Sequence, residues 1–86
     1  MYIQYHKKFE KRFTKLTPQL KQKVKKCIER FDQNPFDTQL RNHALTGKLI
    51  GKRAISVMGD MRIIFEEQNN YVLVIMLDVG THNQVY

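Results

Sequence analysis

Arg53-Ala54-Ile55-Ser56-Val57-Met58, then Gly59-Asp60, then Met61-Arg62-Ile63-Ile64-Phe65-Glu66, is the stretch that decides the fold. Its apolar residues recur with a period near two on either side of a Gly-Asp pair, the pattern of two antiparallel strands joined by a tight turn. Downstream, Asn69-Asn70 marks a second turn, and Tyr71-Val72-Leu73-Val74-Ile75-Met76-Leu77-Asp78-Val79 is apolar on both faces. A strand of that kind belongs in the middle of a sheet with something packed on each side. Together the three segments predict an antiparallel meander.

Upstream the period changes. Tyr2-Ile3-Gln4-Tyr5 is rich in β-formers and predicts a short first strand. From His6, the residues Phe9, Phe13 and Leu16 fall at i, i+4 and i+7 on one helical face, with Lys7, Lys8, Lys11, Arg12 and Lys15 off it. Thr17-Pro18 is a break and restart: Thr17 suits an N-cap, and Pro18 suits the first helical position, where a missing N–H costs nothing. Leu20, Val24, Cys27, Ile28 and Phe31 then continue a second, longer helix that ends before Asn34-Pro35. The pair reads as a hairpin, apolar inside and cationic outside. Between Pro35 and Gly51 no period survives, and Leu40, Leu45 and Ile50 are the expected apolar anchors of a long connection. The element order is β-α-α-β-β-β, an α+β fold with a helical hairpin packed on a small sheet.

With 86 residues the chain closes one core, so residues 1–86 are expected to form a single domain. Apolar residues at 42% and charged residues at 27% place it among globular rather than disordered sequences. No window approaches the ~18 apolar residues of a membrane span, and the basic start lacks the apolar stretch of a signal peptide. A cytoplasmic location follows as the expectation. The single cysteine, Cys27, cannot form an internal disulfide, and its place on the apolar stripe makes it a core residue.

Charge is distributed unevenly. Residues 1–30 hold ten basic side chains against Glu10 and Glu29, a net +8, whereas the other 56 residues carry five basic and six acidic groups, a net −1. A field concentrated in this way suits a polyanion or an acidic protein, and it also suits a solvated helical surface.

Candidate chemistry lies outside the helices. The sequence has no Gly-rich phosphate loop, nucleophile elbow or metal-ligand spacing, so neither a metal nor another cofactor is expected. What remains is His43 in the long connection, Lys52 and Arg53 at a strand start, Asp60 and Arg62 around the tight turn, and His82 and Tyr86 behind a Gly80-Thr81 turn. If Lys52, Arg53 and the end of the last strand share one rim of the sheet, an acid or base meets two cations. That is the minimum for cleaving RNA without a metal: one group takes the ribose 2′-OH proton, cations stabilise the phosphorane, and an acid protonates the leaving 5′-oxygen. The alternative is structural: Arg53 or Arg62 pairs with Asp60 or Glu66 across strands, His43 folds its loop, and Tyr86 caps the core.

Four stretches in order, Asn42-His43-Ala44-Leu45-Thr46-Gly47, Gly51-Lys52-Arg53, Asp60-Met61-Arg62-Ile63-Ile64-Phe65 and Gly80-Thr81-His82-Asn83-Gln84-Val85-Tyr86, resemble the RelE/ParE toxin superfamily, and within it the YafQ-like branch. The resemblance implies a RelE-like fold and a ribosome-dependent endoribonuclease that cuts messenger RNA, restrained by a cognate antitoxin protein. Its implied partners are thus that antitoxin, the ribosome and mRNA, with no membrane. Carried over by position, His82 is the terminal catalytic histidine, His43 the loop histidine, Asp60 the acid before an apolar strand and Arg53 the strand arginine that meets transition-state charge. Tyr86 would stack on a base, with Lys52 and Arg62 as further substrate-binding cations. One departure stands out: the Arg-Asp-x-His pattern of YafQ-like toxins is Arg53-Ala54-Ile55-Ser56 here, and Ser56 cannot shuttle a proton near neutral pH. The alternative is therefore a ParE-like inhibitor of DNA gyrase, or a catalytically weakened relative kept for antitoxin binding.

Overall fold

The computed structural model describes residues 1–86 and bears out the α+β order. Strand β1 (Tyr2–Tyr5) leads into helices α1 (Lys7–Thr14) and α2 (Pro18–Gln33), then a two-residue strand β2 (His43–Ala44). The meander follows as β3 (Arg53–Met58), β4 (Met61–Gln68) and β5 (Leu73–Thr81), and a single helical turn, α3 (His82–Val85), closes the chain. The helix starts obey the capping logic of the sequence: Thr17 accepts a hydrogen bond from the Leu20 N–H, with Pro18 in the first turn, and His6 Nδ1 accepts from the Lys8 N–H.

The sheet order is β1-β5-β4-β3-β2. The meander strands pair antiparallel, and β1 lies parallel along the first half of β5, opposite Leu73–Met76. This leaves the second half of β5 with a free edge, and α1 fills it. There Lys8 and Arg12 form the two ion pairs of the molecule, both to the buried carboxylate of Asp78, at 3.4 and 3.2 Å.

The two faces of the sheet are packed unequally. Phe9, Val24, Cys27 and Phe31 from the helices, with Leu40, meet Ile55, Ile63, Phe65, Val74, Met76 and Val79 in the main core. Phe31 and Phe65 meet edge to face with ring centroids 4.9 Å apart. Cys27 lies here as expected; burial pushes its thiol up to about 11, despite the opposing pull of Arg30, so it is no nucleophile at neutral pH. On the opposite face the buried apolar residues are Ala54, Ile64 and Val85, flanked by Leu45 and Leu77, with Asp78 buried opposite Ile64.

A bulge shapes that second face. The register of β4 on β5 slips between Ile64, which faces Asp78, and Phe65, which faces Met76. One extra residue on β5 lets Met76 and Val79, three apart, both enter the main core, while Leu77 packs on the opposite side.

Several expectations need correction. Tyr71 does not begin the last strand: Asn69, Asn70 and Tyr71 all adopt left-handed backbone (φ 56°, 53° and 69°), and the strand starts at Leu73. Tyr71 instead packs against Phe31, Phe36 and Phe65, and its N–H donates to Glu67 Oε2. Gly80-Thr81 is not a turn but the end of β5, with Thr81 capping α3. The long connection contains β2 and two short 3₁₀ turns, Thr38–Leu40 and Gly47–Leu49. Leu40 is its buried anchor and Leu45 is half-buried, but Ile50 is 75% exposed because it sits on the tip of the second turn.

Candidate active site

Strand register decides which candidates meet. Arg53 pairs with Phe65, and Phe65 with Met76, whereas Met58 pairs with Met61 and Met61 with Thr81. The end of β5 therefore lies beside the end of β3, not its start, and the expected rim joining Arg53 to His82 does not form. In a meander the start of the first strand neighbours the end of the second and the start of the third. Five residues of extended chain at ~3.3 Å each separate Arg53 from the level of His82. Arg53 also shares the helix-side alternation of Ile55: its Nε donates to Asn42 Oδ1 (2.8 Å), and Asn42 Nδ2 donates to Tyr71 Oη and the Pro35 carbonyl. It braces the long connection.

A different arginine takes its place near the tail. Arg62 faces Gly80 on one side and Ser56 on the other. Its Nη1 donates to the Gly59 and Met61 carbonyls at 2.7 and 3.1 Å, holding the guanidinium at the β3–β4 turn. The backbone of that turn also anchors the tail, since the His82 N–H donates to the Asp60 carbonyl at 2.9 Å. Neither arginine is ion-paired to Asp60 or Glu66.

The tail folds back as a capped turn. The Gln84 side chain accepts from the Thr81 N–H (2.8 Å), and Arg12 Nη2 donates to the Gln84 carbonyl (3.2 Å). Gly80 makes room for this: a Cβ there would come within 2.6 Å of Gln84 Oε1. Val85 is thereby seated on Ala54 and Ile64, and the rings of His82 and Tyr86 meet edge to face at 4.3 Å. Burial raises the Tyr86 hydroxyl pKa while the Arg62 guanidinium pulls it down, so the phenol lies within reach of that charge.

Across an open cavity of about 430 Å³ stands His43, with Thr46, Lys48 and Leu49 from the same connection and Tyr86 from the tail. His43 pairs with Ala54 across β2 and β3, which puts it on the α3 side of the sheet. Its Nδ1 lies 2.8 Å from the Arg41 carbonyl. In the neutral ring Nδ1 therefore carries the proton and Nε2 keeps a free lone pair. Arg41 holds that carbonyl in place with left-handed backbone (φ 52°). Lys52 lines a second cleft on the far side of Leu49, away from His43. Of the residues singled out in the sequence, His43 and Tyr86 line this groove, the His82 ring packs against Tyr86, the Arg62 charge acts on the Tyr86 hydroxyl, Asp60 holds the tail through its backbone carbonyl, Lys52 lines the neighbouring cleft, and Arg53 lies apart. The tie from Arg12 to the tail had no signal in the sequence, because residues 12 and 84 meet only through the free edge of β5.

Comparison with solved structures agrees with this architecture. YafQ from E. coli strain BL21(DE3) superposes with a TM-score of 0.79 at 22% identity over 98% of this chain and 96% of that one. A YoeB/ParE toxin from Agrobacterium tumefaciens gives 0.78 at 12% identity over 95% and 99%. YafQ in the E. coli DinJ-YafQ toxin-antitoxin complex gives 0.76 at 22% identity over 98% and 94%. No curated protein sequence matches. The family model for the bacterial toxin of type II toxin-antitoxin systems, YafQ, matches residues 1–86, and the chain belongs to that toxin family.

Proposed function

We propose that this toxin is a ribosome-dependent messenger-RNA endoribonuclease that works without a metal, and that the groove between α3 and the His43 loop is its active site. The observation that carries the reading is that His43 and Tyr86 line one open cavity on the exposed face of the sheet, with the His82 ring packed on Tyr86 and the Arg62 charge acting on its hydroxyl. His43 Nε2 and His82 supply a base for the 2′-OH and an acid for the leaving 5′-oxygen; the direction of the proton relay follows from which histidine faces which oxygen. Arg62, not Arg53, meets the charge of the phosphorane. Tyr86 offers a ring for a base splayed out of the stack. Asp60 positions His82 through its carbonyl.

The positions Ala54 and Ser56, which carry Asp and His in the resembling toxins, lie on this same face. Their replacement favours an enzyme slower than its relatives, with a weakened, antitoxin-binding toxin as the second reading. In cells, such a toxin is held by a cognate antitoxin in the cytoplasm, in line with the complex known for E. coli YafQ. No helix is long and apolar enough to cross a membrane. The test is cleavage of mRNA on programmed ribosomes by the purified protein, read by mapping new 5′ ends. Cuts that appear only with ribosomes support the proposal. Intact mRNA together with inhibited DNA supercoiling would establish the gyrase alternative instead.

A further inference from the structure

We infer that the cleft beside the groove is a second nucleotide subsite, which holds the base and phosphate flanking the cleaved bond. This rests on the proposed ribonuclease reading and extends it past Leu49, the residue that walls both cavities. The cleft measures about 180 Å³. Its floor is apolar, made by Ile64, Leu77 and Val85, and its rim carries the cations Lys8 and Lys52 beside His6. An apolar floor beside fixed cations suits a nucleotide, since the base covers apolar surface while its phosphate meets the positive charge.

Two features show that the cleft is built rather than left over. The bulge in β5 brings Leu77 onto this face beside Asp78, giving the floor its apolar surface. Asp78, only 5% exposed, holds Lys8 at the rim and Arg12 behind it, so one carboxylate fixes two cations and the surroundings stay net positive. Lys52 has no acidic partner. RNA is the occupant this cleft fits because only Leu49 separates it from the groove proposed to hold the scissile nucleotide, so the same strand reaches both.

The experiment is a ¹⁵N NMR titration of the intact 86-residue chain with a short single-stranded RNA carrying a 2′-deoxy sugar at the scissile position. Shifts at Lys52, Leu77 and Asp78, together with His82 and Tyr86, support the inference. Shifts confined to residues 43–49 and 82–86, or no shifts on either cavity at millimolar RNA, overturn the subsite; the ribonuclease reading stands or falls separately on cleavage with ribosomes. A second measurement uses Lys8→Gln/Lys52→Gln, with its dispersed spectrum as the check on folding. Loss of two phosphate contacts reduces the slope of log affinity against log salt by about 1.4, at ~0.7 per contact for single strands. An unchanged slope, or cleft shifts produced by an acidic peptide and not by RNA, overturns the subsite.

Discussion

The two faces of the sheet divide the work of the molecule. Twelve buried apolar residues, three of them aromatic, fill the helix side, whereas three, none larger than isoleucine, are buried on the other. The helix side has no exposed histidine and the opposite side has both members of the proposed acid-base pair. Thin packing is what makes the second face usable: catalysis needs side chains that reach solvent and substrate, and a four-residue helix with one buried side chain leaves most of its surface open. The faces are coupled at one place, the free edge of β5, where Arg12 leaves α1, pairs with Asp78 and donates to the tail.

This contrast breaks if substitutions on the open face unfold the protein or those on the helix face spare it. The largest expected effect is His82→Ala, which should lower ribosome-dependent cleavage by about 10² to 10⁴ while leaving stability within ~0.5 kcal/mol, since the ring is exposed. A fall in cleavage matched by a fall in urea midpoint would mean that His82 acts through folding. Phe31→Ala comes next, on the other face. Its ring is fully buried among Phe65 and Tyr71, and its loss should cost about 3–5 kcal/mol in urea unfolding, a large share of the stability of so small a domain.

Tyr86→Ala sharpens the comparison within the open face. A stacked base is worth about 1–3 kcal/mol, so the variant should lose roughly 5- to 150-fold in kcat/KM with little change in unfolding. Arg53→Ala is its counterpart: it should lower stability through the lost bond to Asn42 but keep the rate per folded molecule. Equal catalytic losses from Arg53→Ala and Arg62→Ala would refute the assignment of transition-state charge to Arg62.

The limits of reading this sequence follow from the same geometry. Periodicity locates both helices and the meander within a few residues because each buries one continuous face, and the candidate site residues stand out because they interrupt those patterns. Neighbour relations were harder. The parallel pairing of β1 with β5 depends on a crossover through both helices, and no local pattern records it. Arg53 falls away from the tail because the start of the first strand of a three-stranded meander is level with the start, not the end, of the third. Tyr71 looked like a strand residue because aromatics favour strands, but its ring is drawn under Phe36 and its backbone follows.

Ile50 is the smallest case and the most instructive one. It is the third of the expected anchors of the long connection, yet of the three Leu40 alone reaches the main core. Gly47 and Gly51 adopt left-handed backbone (φ 65° and 87°) on either side of a single 3₁₀ turn, and they lift the residue between them off the sheet. Leu49 takes the inward position and walls both cavities. Leu40→Ala should therefore cost about 2–5 kcal/mol, whereas Ile50→Ser should stay within ~0.5 kcal/mol in urea unfolding. A stability loss from Ile50→Ser comparable to that of Leu40→Ala would mean that the connection is anchored at both ends and that the open face is better packed than its few buried residues indicate.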